Sequence, residues 1–172
     1  MNLWQTILDV VCNPVLYVPA CSWIIAQVLK LIINAIVNKK LDMSRLVGDG
    51  GMPSGHSATV TALATMCGFT CGFDSPVFGL AMIFAIVVMH DAAGVRREAG
   101  KQAVSIKKIA DMLNDHLFSD NAEEFYTDTL KVFVGHTRFQ VACGSALGAV
   151  IALIFCFFIA PKLGIEMLYT LA

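Results

Sequence analysis

Charge is scarce in this chain. Only 15% of its 172 residues are Asp, Glu, Lys or Arg, against about 25% in an ordinary soluble domain. The formal net charge is −1, which excludes a generally basic nucleic-acid binder. Six cysteines (Cys12, Cys21, Cys67, Cys71, Cys143 and Cys156) form no Cys-x-x-Cys pair, so neither a disulfide scaffold nor a zinc site is indicated. No Lys or Arg precedes the first apolar run and no small-residue cleavage site follows it, so the N-terminus does not read as a secretory signal. Long internal repeats and low-complexity tracts are lacking too.

Apolar side chains fill that space. They make up 57% of the sequence, a composition that excludes disorder, and the mean hydropathy is +0.71. They gather in four runs, about Val15–Val37, Ser57–Phe73, Pro76–Val95 and Phe139–Ala160. Each is near the ~20 residues that cross ~30 Å of hydrocarbon as a helix. The expected fold is an all-α integral membrane bundle of about four transmembrane helices in a single domain covering residues 1–172. Met1–Pro14 is too short to span and reads as an interfacial or re-entrant helix.

Between the third and fourth runs, Ala99, Ala103, Ile106, Ala110, Leu113 and Leu117 recur at alternating spacings of four and three. That is one apolar helical stripe, with Lys101, Lys107, Lys108, Asp111 and Asp115 on the other faces. It predicts an amphipathic helix on the bilayer or against the bundle, with Lys107 and Lys108 reaching lipid headgroups. Asp120 and Glu123 have capping-box spacing and predict a second short helix to about Phe133. In the four-span topology, Lys39, Lys40, Arg45, Arg96, Arg97, Lys101, Lys107, Lys108, Lys131 and Arg138 share one side, and Lys162 alone stands on the other. The basic side is expected to face the cytoplasm or its organellar equivalent. Gly68 with Gly72, and Gly144 with Gly148, have the small-xxx-small spacing of close helix packing, read here as packing within one chain.

The same topology brings three polar strings to one membrane face: Gly50 to His56, Asp91 to Arg97, and Gly135 to Arg138. Pro53 ahead of a helix start, with Gly55 beside it, predicts N–H groups near Ser54–Ser57 that favour an anion. Arg96 and Arg97 can grip phosphate oxygens bidentately. One histidine could attack phosphorus while the other protonates the leaving oxygen, work suited to a side chain titrating near neutrality. His90 is expected to be packed or interfacial and His116 to lie on the surface.

These strings, "GGMPSGHSA", "DAAGVRREAGKQA" and "GHTRFQVACGSALG", with "AQVLK" in the first run, carry a family resemblance over roughly Gln27 to Ala149. The chain resembles the divergent branch of the type-2 phosphatidic acid phosphatase and vanadium-dependent haloperoxidase superfamily. The resemblance implies a helical bundle that hydrolyses phosphate esters without a metal or other cofactor, through a phosphohistidine. By motif, His136 is the nucleophile and His56 the general acid or phosphate contact. Lys30 stands for the first-motif lysine, and Ser54, Gly55, Arg96 and Arg97 complete the implied phosphate contacts. The implied substrate is an amphiphilic lipid or isoprenoid phosphate, drawn from the bilayer. This chain departs from the mainstream pattern: no Arg-Pro follows Lys30, Thr129 and Leu130 stand at the Ser-Arg positions, and Gln140 replaces the aspartate after the nucleophile. A neutral amide stabilises an imidazolium less than a carboxylate does, and Asp91 is a second candidate to orient the site. The alternative reading is a catalytically weak phosphate- or lipid-binding scaffold of the same fold.

Overall fold

A computed structural model describes residues 2–39, 51–117 and 135–169. Its elements are α1 (Leu3–Val11), α2 (Pro14–Asn38), α3 (Gly55–Cys71), α4 (Pro76–Ala93), α5 (Val95–Leu117) and α6 (Arg138–Ile154). A π-helical turn, Phe155–Ile159, continues α6, and a 3-10 turn, Pro161–Leu163, follows. Local chemistry sets the helix starts. The Asn13 side chain accepts the Val15 N–H at 2.9 Å, and Pro14, with no N–H to leave unpaired, opens α2. Ser75 and Pro76 repeat the device at α4, Ser75 Oγ accepting the Phe78 N–H at 3.1 Å.

Burial is inverted relative to a soluble domain. The most deeply buried apolar residues include Ala26, Ala58, Ala62, Ala85 and Ala152, each no more than 1% exposed. Large apolar side chains such as Ile24, Leu80, Ile83, Phe84 and Val150 point outward. Small residues let helix backbones approach, and an apolar outer surface of this extent is suited to lipid rather than water. Three helical runs, Pro14–Asn38, Pro76–Ile109 and Arg138–Ile159, are long and apolar enough to cross a membrane. The chain is an all-α membrane bundle.

The run expected at Ser57–Phe73 is α3, the central helix, which packs against α2, α4 and α6. Its 17 residues cover ~25 Å, and it stops at Cys71 because Gly72 turns out of the helix with φ of 99°. The two glycine pairs have different fates. A Cβ on Gly144 would overlap the Ser54 carbonyl oxygen, and one on Gly148 the Ala58 carbonyl oxygen, so α6 and α3 meet backbone to backbone. The expectation of helix packing fails for the other pair: Gly68 lies under the Phe73 ring and Gly72 is the helix terminus.

The short N-terminal helix forms as α1, with Leu3, Trp4 and Val11 exposed. The stripe-bearing amphipathic helix forms as α5, with Val95, Ile106 and Ile109 exposed. The second short helix, expected from Asp120 to about Phe133, lies outside the described residues. After the 3-10 turn, Met167 is buried and the Leu168 N–H donates to the Phe69 carbonyl at 2.9 Å, which fastens the tail to the far end of α3.

Candidate active site

The polar strings meet at one end of the bundle, held by backbone contacts. The Ser54 N–H donates to the Gln140 carbonyl at 3.1 Å, tying the turn before α3 to the first turn of α6. The His136 N–H donates to the Ala92 carbonyl at 3.1 Å, tying the residues before α6 to the end of α4. Gly135 lies flat against the Arg96–Arg97 backbone, where a Cβ would overlap Arg97 N and come within 2.6 Å of Arg96 C. Any side chain at 135 would lift His136 away from α4. Gly94 breaks the run between α4 and α5 at this level, so Arg96 and Arg97 leave the bundle beside His136.

His136 is 3% exposed and His56 half-buried, their rings 6.3 Å apart between centroids and edge-on at 63°. Gln140 selects the tautomer of a neutral His136. Gln140 Oε1 accepts the Thr137 N–H at 3.0 Å, so the amide atom on that side is oxygen. The same oxygen lies 3.3 Å from His136 Nδ1. An oxygen facing both groups makes Nδ1 the protonated nitrogen and leaves the in-plane lone pair of the neutral ring on Nε2. Thr137 Oγ1 in turn accepts the Gln140 N–H at 3.2 Å, completing a capping box at the start of α6. The Thr137-x-x-Gln140 spacing announces this box in the sequence, a signal of local structure inside a motif read for its chemistry.

Lys30 is 4% exposed, buried rather than run out to the surface, and its methylene stem lies under Gly51. Gly51 has a φ of 103°, and a Cβ there would sit 3.1 Å from Lys30 Cγ. Both features call for glycine. A cavity of about 150 Å³, lined by Lys30, Asn34, Asn38, Gly51 and Met52 among others, opens beside it.

The anion site expected at Ser54–Ser57 is narrower than its sequence suggests. The Ser54 hydroxyl is fully buried as the cap of α3: it accepts from the Ser57 N–H at 3.4 Å and from the Ser57 hydroxyl at 3.0 Å. Ser54 therefore builds the turn, and its N–H is spent on α6. The Gly55 and His56 N–H groups are the ones in that first turn without an intrahelical acceptor. Gly55 is buried against the Trp23 ring, 3.2 Å from a would-be Cβ, so α2 supports the turn directly.

Asp91, the second candidate to orient the site, is ion-paired with Arg96. Its Oδ2 accepts from Arg96 Nε at 2.8 Å, with the two side chains about half exposed. Arg97 is half-buried, whereas His90 is exposed. Gln27, which opens the glutamine-to-lysine stretch of the AQVLK string, has its Oε1 buried without a hydrogen-bond partner among the described residues, beside Gly55.

The Divergent PAP2 family model matches residues 11–151, which include every one of these groups. The chain belongs to the divergent PAP2 family. A Bacillus subtilis (strain 168) relative, "Uncharacterized membrane protein YuiD", is 41% identical over 140 residues, covering 78% of this chain and 89% of its own. No solved structure matches the chain. In this divergent PAP2 protein, the contacts just described bring together His56, His136, Gln140 and the start of α5. Lys30 and Gln27 are supplied from α2, at the same end of the bundle.

Proposed function

We propose that this membrane protein is a phosphatase that hydrolyses a lipid-type phosphate monoester or diphosphate, isoprenoid or glycerolipid, through a phosphohistidine. The observation that carries this reading is the pair of imidazoles 6.3 Å apart, with the Nε2 lone pair of His136 set by Gln140. That separation suits one phosphoryl group between an attacking nitrogen ~3–3.5 Å from phosphorus and an acid within ~2.6–3.2 Å of the leaving oxygen.

His136 Nε2 attacks phosphorus, and the bond from phosphorus to the leaving oxygen breaks. His56, entering as the imidazolium, gives that oxygen its proton. Water then attacks the phosphohistidine, His56 takes the water's proton, and breakage of the P–N bond releases inorganic phosphate. Lys30, Arg96, Arg97 and the Gly55–His56 N–H groups balance charge on the equatorial oxygens. The basic-residue asymmetry supports placing this end of the bundle on the cytoplasmic or equivalent side.

A second reading, a scaffold that binds lipid phosphate with little turnover, is favoured by two observations: the partner of Nδ1 is an amide, and Asp91 is engaged with Arg96. Phosphate release by detergent-purified protein, from a panel of isoprenoid and glycerolipid phosphates with EDTA present, separates the two. Release that survives chelation is expected. Glu at position 140 keeps the reach of the capping box and puts a carboxylate on the imidazole, so Gln140→Glu is expected to raise kcat roughly tenfold. A wild type that binds the panel and releases nothing establishes the scaffold.

A further inference from the structure

From Ile24 to the end of α2 the only polar side chains are Gln27, Lys30, Asn34 and Asn38. Their spacings of three, four and four put all four on one side of the helix, in a span where polar groups are expensive. Gln27 and Lys30 belong to the site described above, whereas Asn34 and Asn38 lie outside every string that carries the family resemblance. Burial falls along the stripe: Lys30 is 4% exposed, Asn34 is half-buried and Asn38 is exposed. By helical rise Asn34 stands ~6 Å and Asn38 ~12 Å beyond Lys30.

The cavity beside Lys30 runs along the outer part of this stripe. Lys30, Asn34 and Asn38 line it from α2, and Gly51 and Met52, which lead into the turn before His56, line it from the other side. At about 150 Å³ it falls below the ~300–1,000 Å³ of sites for larger ligands, so it suits a small ion rather than a hydrocarbon tail. No acidic side chain lines it among the described residues. Its polar groups are mainly donors. Asn38 Nδ2 donates to Asn34 Oδ1 at 2.6 Å, and whichever way that bond runs, three of the pair's four N–H bonds are left for a ligand or water.

The histidines lie on the inner side of Lys30. Gly55, beside His56, packs on Trp23 and Gln27, whereas Gly51 packs on the Lys30 stem. Outward from His56, the order along α2 is therefore Gln27, the buried lysine, then two uncharged carboxamides.

We propose that this cavity is a second phosphate site, separate from the histidine pair, which receives inorganic phosphate as it leaves. Its use as an exit rests on the phosphatase reading; its affinity for phosphate does not. A carboxamide N–H carries less positive charge than an ammonium or guanidinium and holds a phosphate oxygen more weakly. Phosphate released among Lys30, Arg96 and Arg97 thus steps to weaker donors at Asn34 and Asn38 before it reaches water. A lipid headgroup presents the same oxygens, and the experiment separates the two sources.

The full chain, labelled with ¹⁵N at asparagine in phosphatidylcholine nanodiscs, is titrated with inorganic phosphate, with chloride as the ionic-strength control. The side-chain amide signals of Asn34 and Asn38, assigned by single substitutions, are expected to shift saturably with phosphate and not with chloride. Asn34→Asp, nearly the same size, should abolish the shift at Asn38 by like-charge repulsion. Absence of a saturable shift overturns the proposal. Signals already shifted in phosphatidylglycerol nanodiscs and unmoved by added phosphate give the cavity to lipid headgroups and overturn it as well. Kinetics supply a second readout: Asn34→Leu should raise the Ki for product inhibition by phosphate at least about fivefold, the loss of one hydrogen bond, while KM for the lipid substrate moves less than about twofold. An unchanged Ki, or equal changes in Ki and KM, contradicts the exit. Saturable phosphate binding at Asn34 and Asn38 in a protein that hydrolyses nothing overturns the turnover reading and leaves the phosphate site standing.

Discussion

His136→Ala is expected to abolish phosphate release while leaving the bundle folded. The side chain sits before α6, where its backbone N–H, not its ring, makes the bond to Ala92. The backbone ties of Gly135 to α5 and of Ser54 to Gln140 also survive the substitution. In the proposed mechanism the ring supplies an Nε2 lone pair oriented by Gln140, with His56 edge-on beside it. Loss of a nucleophile that no neighbour replaces costs on the order of 10⁴-fold or more in kcat. Thermal unfolding of the variant should match wild type within a few degrees. Turnover that persists in a folded His136→Ala protein removes the residue from the reaction.

The largest structural effect is expected at Gly148. A Cβ there overlaps the Ala58 carbonyl oxygen and lies 2.8 Å from its carbon, and both are backbone atoms of the central helix with no rotamer to yield. Gly148→Leu must push α6 off α3 along the seam where Gly144 already rests on Ser54. Overpacking of this kind costs ~1–3 kcal/mol, at the upper end where backbone must move. A fall in the detergent Tm of several degrees, with loss of activity, is the expected outcome. Gly68→Ala, which meets side-chain atoms of the partly exposed Phe73 ring rather than backbone, is expected to be milder. Equal tolerance at the two positions would show that α6 and α3 do not meet as described.

The contrast between those glycines shows what the sequence can and cannot say. Hydropathy made the four apolar runs legible, because membrane thickness sets their length. Small-xxx-small spacing named both glycine pairs alike, yet one lies at a helix contact and the other ends a helix, a difference that depends on which faces meet. The histidines, the arginine pair and Lys30 were legible as types, because their motifs stand at the run ends. Their packing was not: nothing in the order of residues says that Gly135 must lie on Arg96–Arg97, or that Trp23 supports Gly55. Gln140 is the sharpest case. Compared with the mainstream motif it is a lost carboxylate, but with Thr137 it closes a capping box and fixes the tautomer of His136. Ser54, read as a phosphate contact, also caps α3, its hydroxyl accepting from the Ser57 N–H and the Ser57 hydroxyl.

The phosphohistidine is the central claim, and rapid-quench capture tests it most directly. Wild-type protein in lipid nanodiscs is mixed with a phosphate-labelled prenyl substrate, quenched in alkali, which preserves phosphoramidates, and digested for mass spectrometry. The account predicts a phosphoryl group on His136 that forms within the first turnover and is absent from His136→Ala. Phosphate release with His136 unmodified at every time point, or with label on another residue, would contradict it.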